Sequence, residues 1–392
     1  MAEHPSLPPL SLYVHVPWCV RKCPYCDFNS HELRRDLPSK RYVQALLADL
    51  DQAVTGVALR PLLSIFIGGG TPSLLPAPAY AELLDGIAAR LPLADDIEIT
   101  MEANPGTVET DRFRGYREAG LNRLSLGIQS FSNRHLQDLG RIHDGRQAVQ
   151  AIETARAAGF DNLNLDLMFG LPQQTPEQAL VDLETAIGFE PEHLSWYQLT
   201  IEPNTVFYKQ PPVLPDEDCL WDMQREGQKL LARHGYRQYE VSAYARRGRR
   251  CRHNLNYWRF GDYLGIGAGA HSKLTDNRGF IRREARHRIP EAYLQSAGRP
   301  SSIVDQRTLD PADVVFEFML NALRLTDGVP GTLFVRHTGL PADVLDGPLQ
   351  QARTRKLLRA GDRLQPTARG RRYLNDLIGL FLPEVEPVSM HG

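Results

Sequence analysis

Between Leu12 and about Arg246, short β-rich runs alternate with amphipathic helical segments, and this alternation restricts the possible folds more than any other feature. The runs read "LYVHV", "SIFIGG", "DIEITME", "RLSLGIQS", "NLNLDLMFG" and "HLSWYQLTI", each with a helix expected after it. Within 39–54, Val43, Leu46, Leu47, Leu50 and Val54 fall on one helical stripe. Thr175-Pro176-Glu177-Gln178 has the pattern of a capping box with proline at the first helical position. Strand followed by helix, repeated, predicts an α/β fold: a parallel sheet covered by helices, either doubly wound or a partial (β/α) barrel. Both architectures bind ligands at the C-terminal ends of their strands.

Those ends are rich in functional residue types. The first strand runs into "WCVRKCPYCDFNS", the second into "GGGTP", the third into "EANP", the fourth into "IQSF" and the fifth into "DLMFGLP". Cys19, Cys23 and Cys26, spaced C-x3-C-x2-C, sit in a loop short enough for their sulfurs to converge on one metal centre. A structural zinc site or a fully protein-ligated iron–sulfur cube needs four ligands. Phe28 stands where a fourth thiol would be close at hand. Either His15, Asp27 or His31 completes a zinc knuckle, or one metal position stays open for chemistry. No Gly-Lys-Ser/Thr follows Gly70, which removes the phosphate-binding P-loop reading. Cys219, inside a helical segment, and Cys251, remote in sequence, read as ordinary thiols.

Composition narrows the class. A chain of 392 residues with 42% hydrophobic content can bury a large core with a smaller unit beside it. Lys plus Arg number 45 against 47 Asp plus Glu, so no basic field calls for nucleic acid. The charge-free run from Pro61 to Ala81 holds four prolines and three glycines and cannot span a membrane as a helix. "MAEHPSLPPL" lacks a basic-then-apolar signal pattern, and five cysteines, three of them clustered, argue against a disulfide framework. A cytoplasmic protein is expected.

Beyond Arg246, "RRGRRCRHNLNYWRFGDYLGIGAGAHS" is basic, then aromatic, then glycine-rich, and reads as a separate functional segment. "REARHRIPEAYLQSAGRPSS" reads as a linker, and "DVVFEFMLNALRL" begins a small helical domain. The expected division is a core over 1–246, a functional segment with linker over 247–306 and a helical domain over 307–392.

The cysteine loop after one strand and Gly68-Gly69-Gly70-Thr71-Pro72 after the next resemble the radical S-adenosylmethionine (SAM) superfamily. There three thiolates hold a [4Fe–4S] cube and SAM chelates the fourth iron. The resemblance implies a partial barrel, with glycines that let backbone approach the methionine moiety. The linked motifs "SLYVHVPWCVRKCPYCDFNSH", "IFIGGGTPSLL", "EITMEANPGT", "GIQSF", "LGRIH", "NLDLMFGLP", "LSWYQLTIEPNT" and "HNLNYWRFGDYLGIGAGAH" narrow it further. Together they resemble the HemW group, haem chaperones related to oxygen-independent coproporphyrinogen III oxidase. The oxidase carries a further cysteine in the place of Phe28 and a long N-terminal extension ahead of its cysteines, so the likeness favours the chaperone.

By that likeness Tyr13, Gly69 and Glu102 contact the cluster-bound SAM. Tyr25, Gly70, Thr71, Gln129, Arg141 and Asp166 match positions around a second SAM of the oxidase. His253 in "HNLNYW" is the expected haem ligand, with Tyr257 and Trp258 offering aromatic surface. Arg246, Arg247, Arg249, Arg250 and Arg252 read equally as partners of haem propionates, as a solvated loop or as a patch for anionic lipid. The implied partners are haem and acceptor haem proteins, among them respiratory enzymes of the membrane, and the competing activity is porphyrinogen decarboxylation.

Overall fold

The computed structural model describes residues 7–107 and 110–383. The six expected runs form β1 (Leu10–Val16), β2 (Leu62–Gly69), β3 (Leu93–Ala103), β4 (Arg123–Gln129), β5 (Leu163–Phe169) and β6 (His193–Gln198). These strands lie side by side in chain order and all run parallel. The crossovers carry α1 (Ser39–Ala53), α2 (Ala77–Ala88), α3 (Thr110–Glu118), α4 (Gly145–Ala157) and α5 (Pro176–Gly188). The capping box starts α5: the Thr175 side chain accepts from Gln178 N–H, and Gln178 Oε1 accepts from Thr175 N–H at 3.0 Å.

Period-two alternation sorts the strand side chains. Leu12, Val14, Ile65, Ile67, Leu124, Leu126, Leu163, Leu165 and Leu167 are buried in one apolar cluster with the helices. The alternate positions, among them Tyr13, Phe66, Arg123, Ser125, Asn164, Asp166, His193 and Ser195, line interior cavities. A parallel sheet with one apolar face and one polar, cavity-lining face is a partial barrel.

Both sheet edges are extended. After α6 (Glu217–Arg233), β7 (Arg237–Gln238) and β8 (Ala243–Ala245) add antiparallel beyond β6. After α7 (Arg252–Trp258), β9 (Asp262–Ile266) pairs parallel to β1, and β10 (His271–Thr275), β11 (Ile281–Arg286) and β12 (Ile303–Thr308) continue as an antiparallel meander. These twelve strands share one sheet, and among the described residues two further two-stranded ladders lie outside it.

The segment expected as a linker is therefore structured: it holds most of β11 and a helix over Pro290–Ser296. Its density of charge made it read as solvated, but the charges neutralise one another inside the fold. Arg286 is fully buried against Asp49 (3.0 Å) and Glu284 (2.9 Å), and Arg283 pairs with Glu317. The mainly helical C-terminal part begins with α8 (Pro311–Ala322). Its apolar cluster takes in Tyr239, Phe260 and Ile281, so it packs directly on the main sheet and the end of α7. Phe318 meets Phe260 edge-on at 5.6 Å, and Arg324 stacks over Trp258 at 4.3 Å.

Candidate functional site

The cysteine loop is held from three sides. Trp18–Cys19 pairs with His31–Glu32, closing the loop on itself. At the end of β2, Gly70 N–H donates to Val16 O and Thr71 N–H to Trp18 O, both at 2.7 Å. A Cβ on Gly70 would stand 2.6 Å from the Trp18 carbonyl oxygen, so this glycine is required by the chain's own close approach. On the third side, Asn29 donates to the carbonyls of Ala268 and Arg288, both at 2.9 Å, which ties the loop to the glycine-rich turn after β9. Tyr42 hydroxyl, donating to His15 O at 2.6 Å and accepting from Ala268 N–H, braces the same junction.

Cys19, Cys23 and Cys26 are free thiols on the wall of a cavity of about 540 Å³ at the C-terminal ends of the strands. Burial pushes the Cys19 and Cys26 thiols up, and Arg141 Nη1 reaches Cys23 Sγ at 3.7 Å. Gly69, Gly70, Thr71 and Glu102 border the same cavity. Tyr25, Gln129, Arg141 and Asp166 line the same cavity. Eight of the nine positions assigned to SAM by resemblance are thus gathered with the cysteines. Tyr13 is the exception. It lines a second cavity below, stacked on Phe66, and its hydroxyl donates to His15 Nδ1 at 3.0 Å.

That bond bears on the zinc knuckle. His15 Nε2 donates to Asn29 O at 2.8 Å while Nδ1 accepts from Tyr13, so both ring nitrogens are committed. Among the described residues no trio of His, Cys, Asp and Glu side chains closes on a single-ion point. Three thiols, a neighbouring guanidinium and the glycine backbone and carboxyl that line the same cavity form a donor set that fits a cluster with three protein ligands.

Several participants were not singled out from the sequence. Tyr197 hydroxyl donates to Gln129 Oε1 at 2.8 Å. This holds a residue whose φ of +67° sits at a bulge ending β4, a strained position that packing maintains. Arg141 also donates to Gly127 O (2.7 Å) and to Asn104 Oδ1. Asp166 accepts from Ser125 (2.8 Å) and Asn164 (2.8 Å). Asn104 lay in the noted "EANP"; Ser125 and Asn164 were visible only as period-two neighbours of chosen residues, and Tyr197 only as part of the run "HLSWYQLTI".

Burial, then the nearby Asp166, pushes the Glu102 carboxyl up to about 8. One of its oxygens accepts from Gly69 N–H at 3.1 Å. A neutral carboxyl there can donate as well as accept.

His253 lies elsewhere, at the base of the barrel. It is 4% exposed and borders the second cavity, of about 290 Å³. Ser64 Oγ is 3.1 Å from Nδ1 and itself donates to Ser11 at 2.9 Å, so Nδ1 is the donor and Nε2 keeps its lone pair. Burial, then the Arg123 charge, pushes the ring down to about 3, so the imidazole is neutral. Tyr257 and Trp258 border the same chamber, and Glu102, Ser125, Asp166 and Ser195 line both cavities. The basic run does not reach the chamber: Arg246 pairs with Glu190, Arg250 with Asp327 and Arg252 with Asp96. Cys251 is buried, its thiol pushed up to about 12 by burial, and His271 is exposed.

Comparison with known proteins agrees with this geometry. Residues 13–186 match the model of the radical SAM superfamily and 309–373 that of the HemN C-terminal domain. The chain is 54% identical to the heme chaperone HemW of Escherichia coli strain K12, over 97% of this chain and all of that one. It is 34% identical to the heme chaperone HemW of Bacillus subtilis strain 168, over 96% and 100% of the two chains. The solved structure of coproporphyrinogen III oxidase (HemN) from Escherichia coli, a radical SAM enzyme, superposes with a TM-score of 0.81 at 24% identity, covering 98% of this chain and 92% of that one. That likeness is one of fold.

Proposed function

The chain belongs to the HemW family of heme chaperones, and on that premise we propose that it binds haem, carries a SAM-ligated [4Fe–4S] cluster and delivers haem to acceptor haem proteins. The observation that carries this reading is the end-to-end match, at 54% identity, to a protein named for heme chaperoning. Phe28, 59% exposed on the cavity wall where the resemblance gives the oxidase a cysteine, separates it from the decarboxylase reading.

Cys19, Cys23 and Cys26 would hold the cluster, and Gly69, Gly70, Thr71 and Glu102 would receive SAM on its open side. Tyr25, Gln129, Arg141 and Asp166 enclose the rest of the pocket. With SAM bound, such a cluster supplies an electron to the sulfonium. The protein's part is to lose three thiol protons and to keep the pocket walls fixed, with Arg141 Nη1 3.7 Å from Cys23 Sγ. His253 would ligate haem iron through Nε2, the nitrogen that its Ser64 bond leaves as a lone pair. No helix among the described residues is long and apolar enough to cross a membrane. We place the protein in the cytoplasm, meeting membrane respiratory enzymes peripherally, with the exposed Arg247 and Arg249 on its outer surface.

The test uses one anaerobically reconstituted preparation for both haem titration and coproporphyrinogen turnover. Haem should bind with a shifted Soret band and no porphyrinogen should be converted. His253→Ala should lose or shift that band and keep cluster absorption, whereas Cys19→Ala, Cys23→Ala or Cys26→Ala should do the reverse. Turnover near one per second, ordinary for an enzyme (~1–10³ s⁻¹), would overturn the chaperone reading. Normal haem spectra in His253→Ala with loss in Cys251→Ala or His271→Ala would move the ligand.

A further inference from the structure

Arg123 begins β4 on its inward face and is 2% exposed. Its Nε is sealed from solvent with no hydrogen-bond partner, and the guanidinium forms no ion pair with any described residue. The two other buried cations among the described residues are paired: Arg286 with Asp49 and Glu284, and Lys273 with Asp262 at 2.9 Å. A desolvated cation without a partner costs several kcal/mol, so one aimed at a cavity marks a place for an anion.

The cavity is the 290 Å³ chamber that also holds His253 and Trp258. Trp258 Nε1 is likewise buried without an acceptor. Acids nearby do not fill the gap. Glu98 Oε1 takes the Cys251 thiol and the Arg252 and His253 N–H groups, and Asp166 takes Ser125 and Asn164. Both act on Arg123 only through space. His193 has Asn164 on Nδ1 (2.6 Å) and Tyr239 on Nε2 (2.8 Å), so it is not an open donor either.

We propose that this chamber is a carboxylate receptor, with Arg123 as the counter-cation and Trp258 as a further N–H donor. A carboxylate is the planar anion that a guanidinium fork matches with two parallel bonds. The chamber is smaller than a porphyrin ring requires and large enough for a short acid arm. The arm comes either from a haem propionate, which rests on the proposed haem reading, or from a free small monocarboxylate. In either case the residue that receives it lies inside the barrel, away from the basic run ahead of α7.

Two measurements on the full-length reconstituted protein separate these sources. Thermal unfolding is followed with sodium propionate and with propionamide at equal ionic strength. Haem and haem dimethyl ester are titrated in parallel. For a free monocarboxylate, propionate raises the midpoint and propionamide does not, and the difference disappears in Arg123→Gln. For a haem propionate, haem binds roughly tenfold tighter than the ester, the scale of one lost charge-assisted bond, and the preference disappears in Arg123→Gln. Arg123→Lys, which keeps the charge if the glutamine variant folds poorly, retains most of either effect; Trp258→Phe weakens it.

Equal binding of haem and ester, with no response to propionate, overturns the receptor and leaves the haem reading standing. Stabilisation by propionate with no haem binding does the opposite. Preferences that persist unchanged in Arg123→Gln also overturn the assignment.

Discussion

Glu102 sits where the two cavities meet, and its protonation is a property of the fold that can be measured without any cofactor. Burial raises its carboxyl to about 8 from an ordinary 4.5. The folded state therefore holds a proton that the unfolded state releases between those values. This contribution is absent below about pH 4.5, grows as a penalty while the pH climbs to about 8, and is constant above. Glu102→Gln removes the titration and keeps the shape. In cofactor-free protein, the stability of Glu102→Gln relative to the natural chain should rise by ~1–3 kcal/mol between pH 5 and pH 9. Urea unfolding at several pH values gives the difference, and a flat difference would mean that water reaches this carboxyl freely. The neighbouring Asp166 was legible from resemblance alone, whereas Arg123 was not. A single arginine opening "RLSLGIQ" looks like a strand flank until the sheet closes and turns its face inward.

At the level of elements, one unbroken stretch serves both ends of the barrel. The "HNLNYW" half forms α7 at the base, and the "GIGAGA" half, after β9, returns to the top and supports the cysteine loop. Gly269 has φ of +82°, and a Cβ there would stand 2.3 Å from Asn29 Nδ2, the group that ties the loop to Ala268 and Arg288. Gly279 has a comparable φ of +88° and open space around it. Each Gly→Ala change carries backbone strain of ~1–3 kcal/mol, but only Gly269→Ala also displaces Asn29. After reconstitution, Gly269→Ala should hold well under half the iron of the natural protein, and Gly279→Ala should hold all of it. Equal iron in the two would show that the cysteine loop does not depend on this brace. The parallel strands were readable because strand ends, turn glycines and helical stripes recur at each crossover. The glycine-rich turn was recognised as functional, but its partner was not, since Asn29 and Gly269 are brought together only by β9 pairing with β1. β11 escaped recognition because its arginines find their acids across the fold.

For the whole molecule, the question is how an interior imidazole meets a macrocycle. His253 is a buried residue of α7 itself, and α7 with the residues just after it is held by the C-terminal helical part through Phe260 on Phe318, Arg324 over Trp258 and His337 Nδ1 donating to Arg259 O at 2.8 Å. The chamber that the imidazole borders measures about 290 Å³, at the lower edge of the ~300–1,000 Å³ typical of ligand sites. A porphyrin ring does not fit over Nε2 in a space of that size. If His253 is the ligand, α7 must shift from the base of the barrel, and the cost falls on its contacts with α8 and not on the cysteine loop, which has separate anchors. Haem addition should therefore increase amide hydrogen exchange in peptides spanning α7 and the N-terminal part of α8, while β1 to β5 keep their protection. Phe318→Ala, which loosens the same contact by ~3–5 kcal/mol, should speed haem binding several-fold in stopped-flow absorbance, provided circular dichroism shows that the helices persist. Unchanged exchange in α7 on haem binding would mean that haem is held on the outer surface, and it would remove His253 as the ligand whatever its spectra had implied.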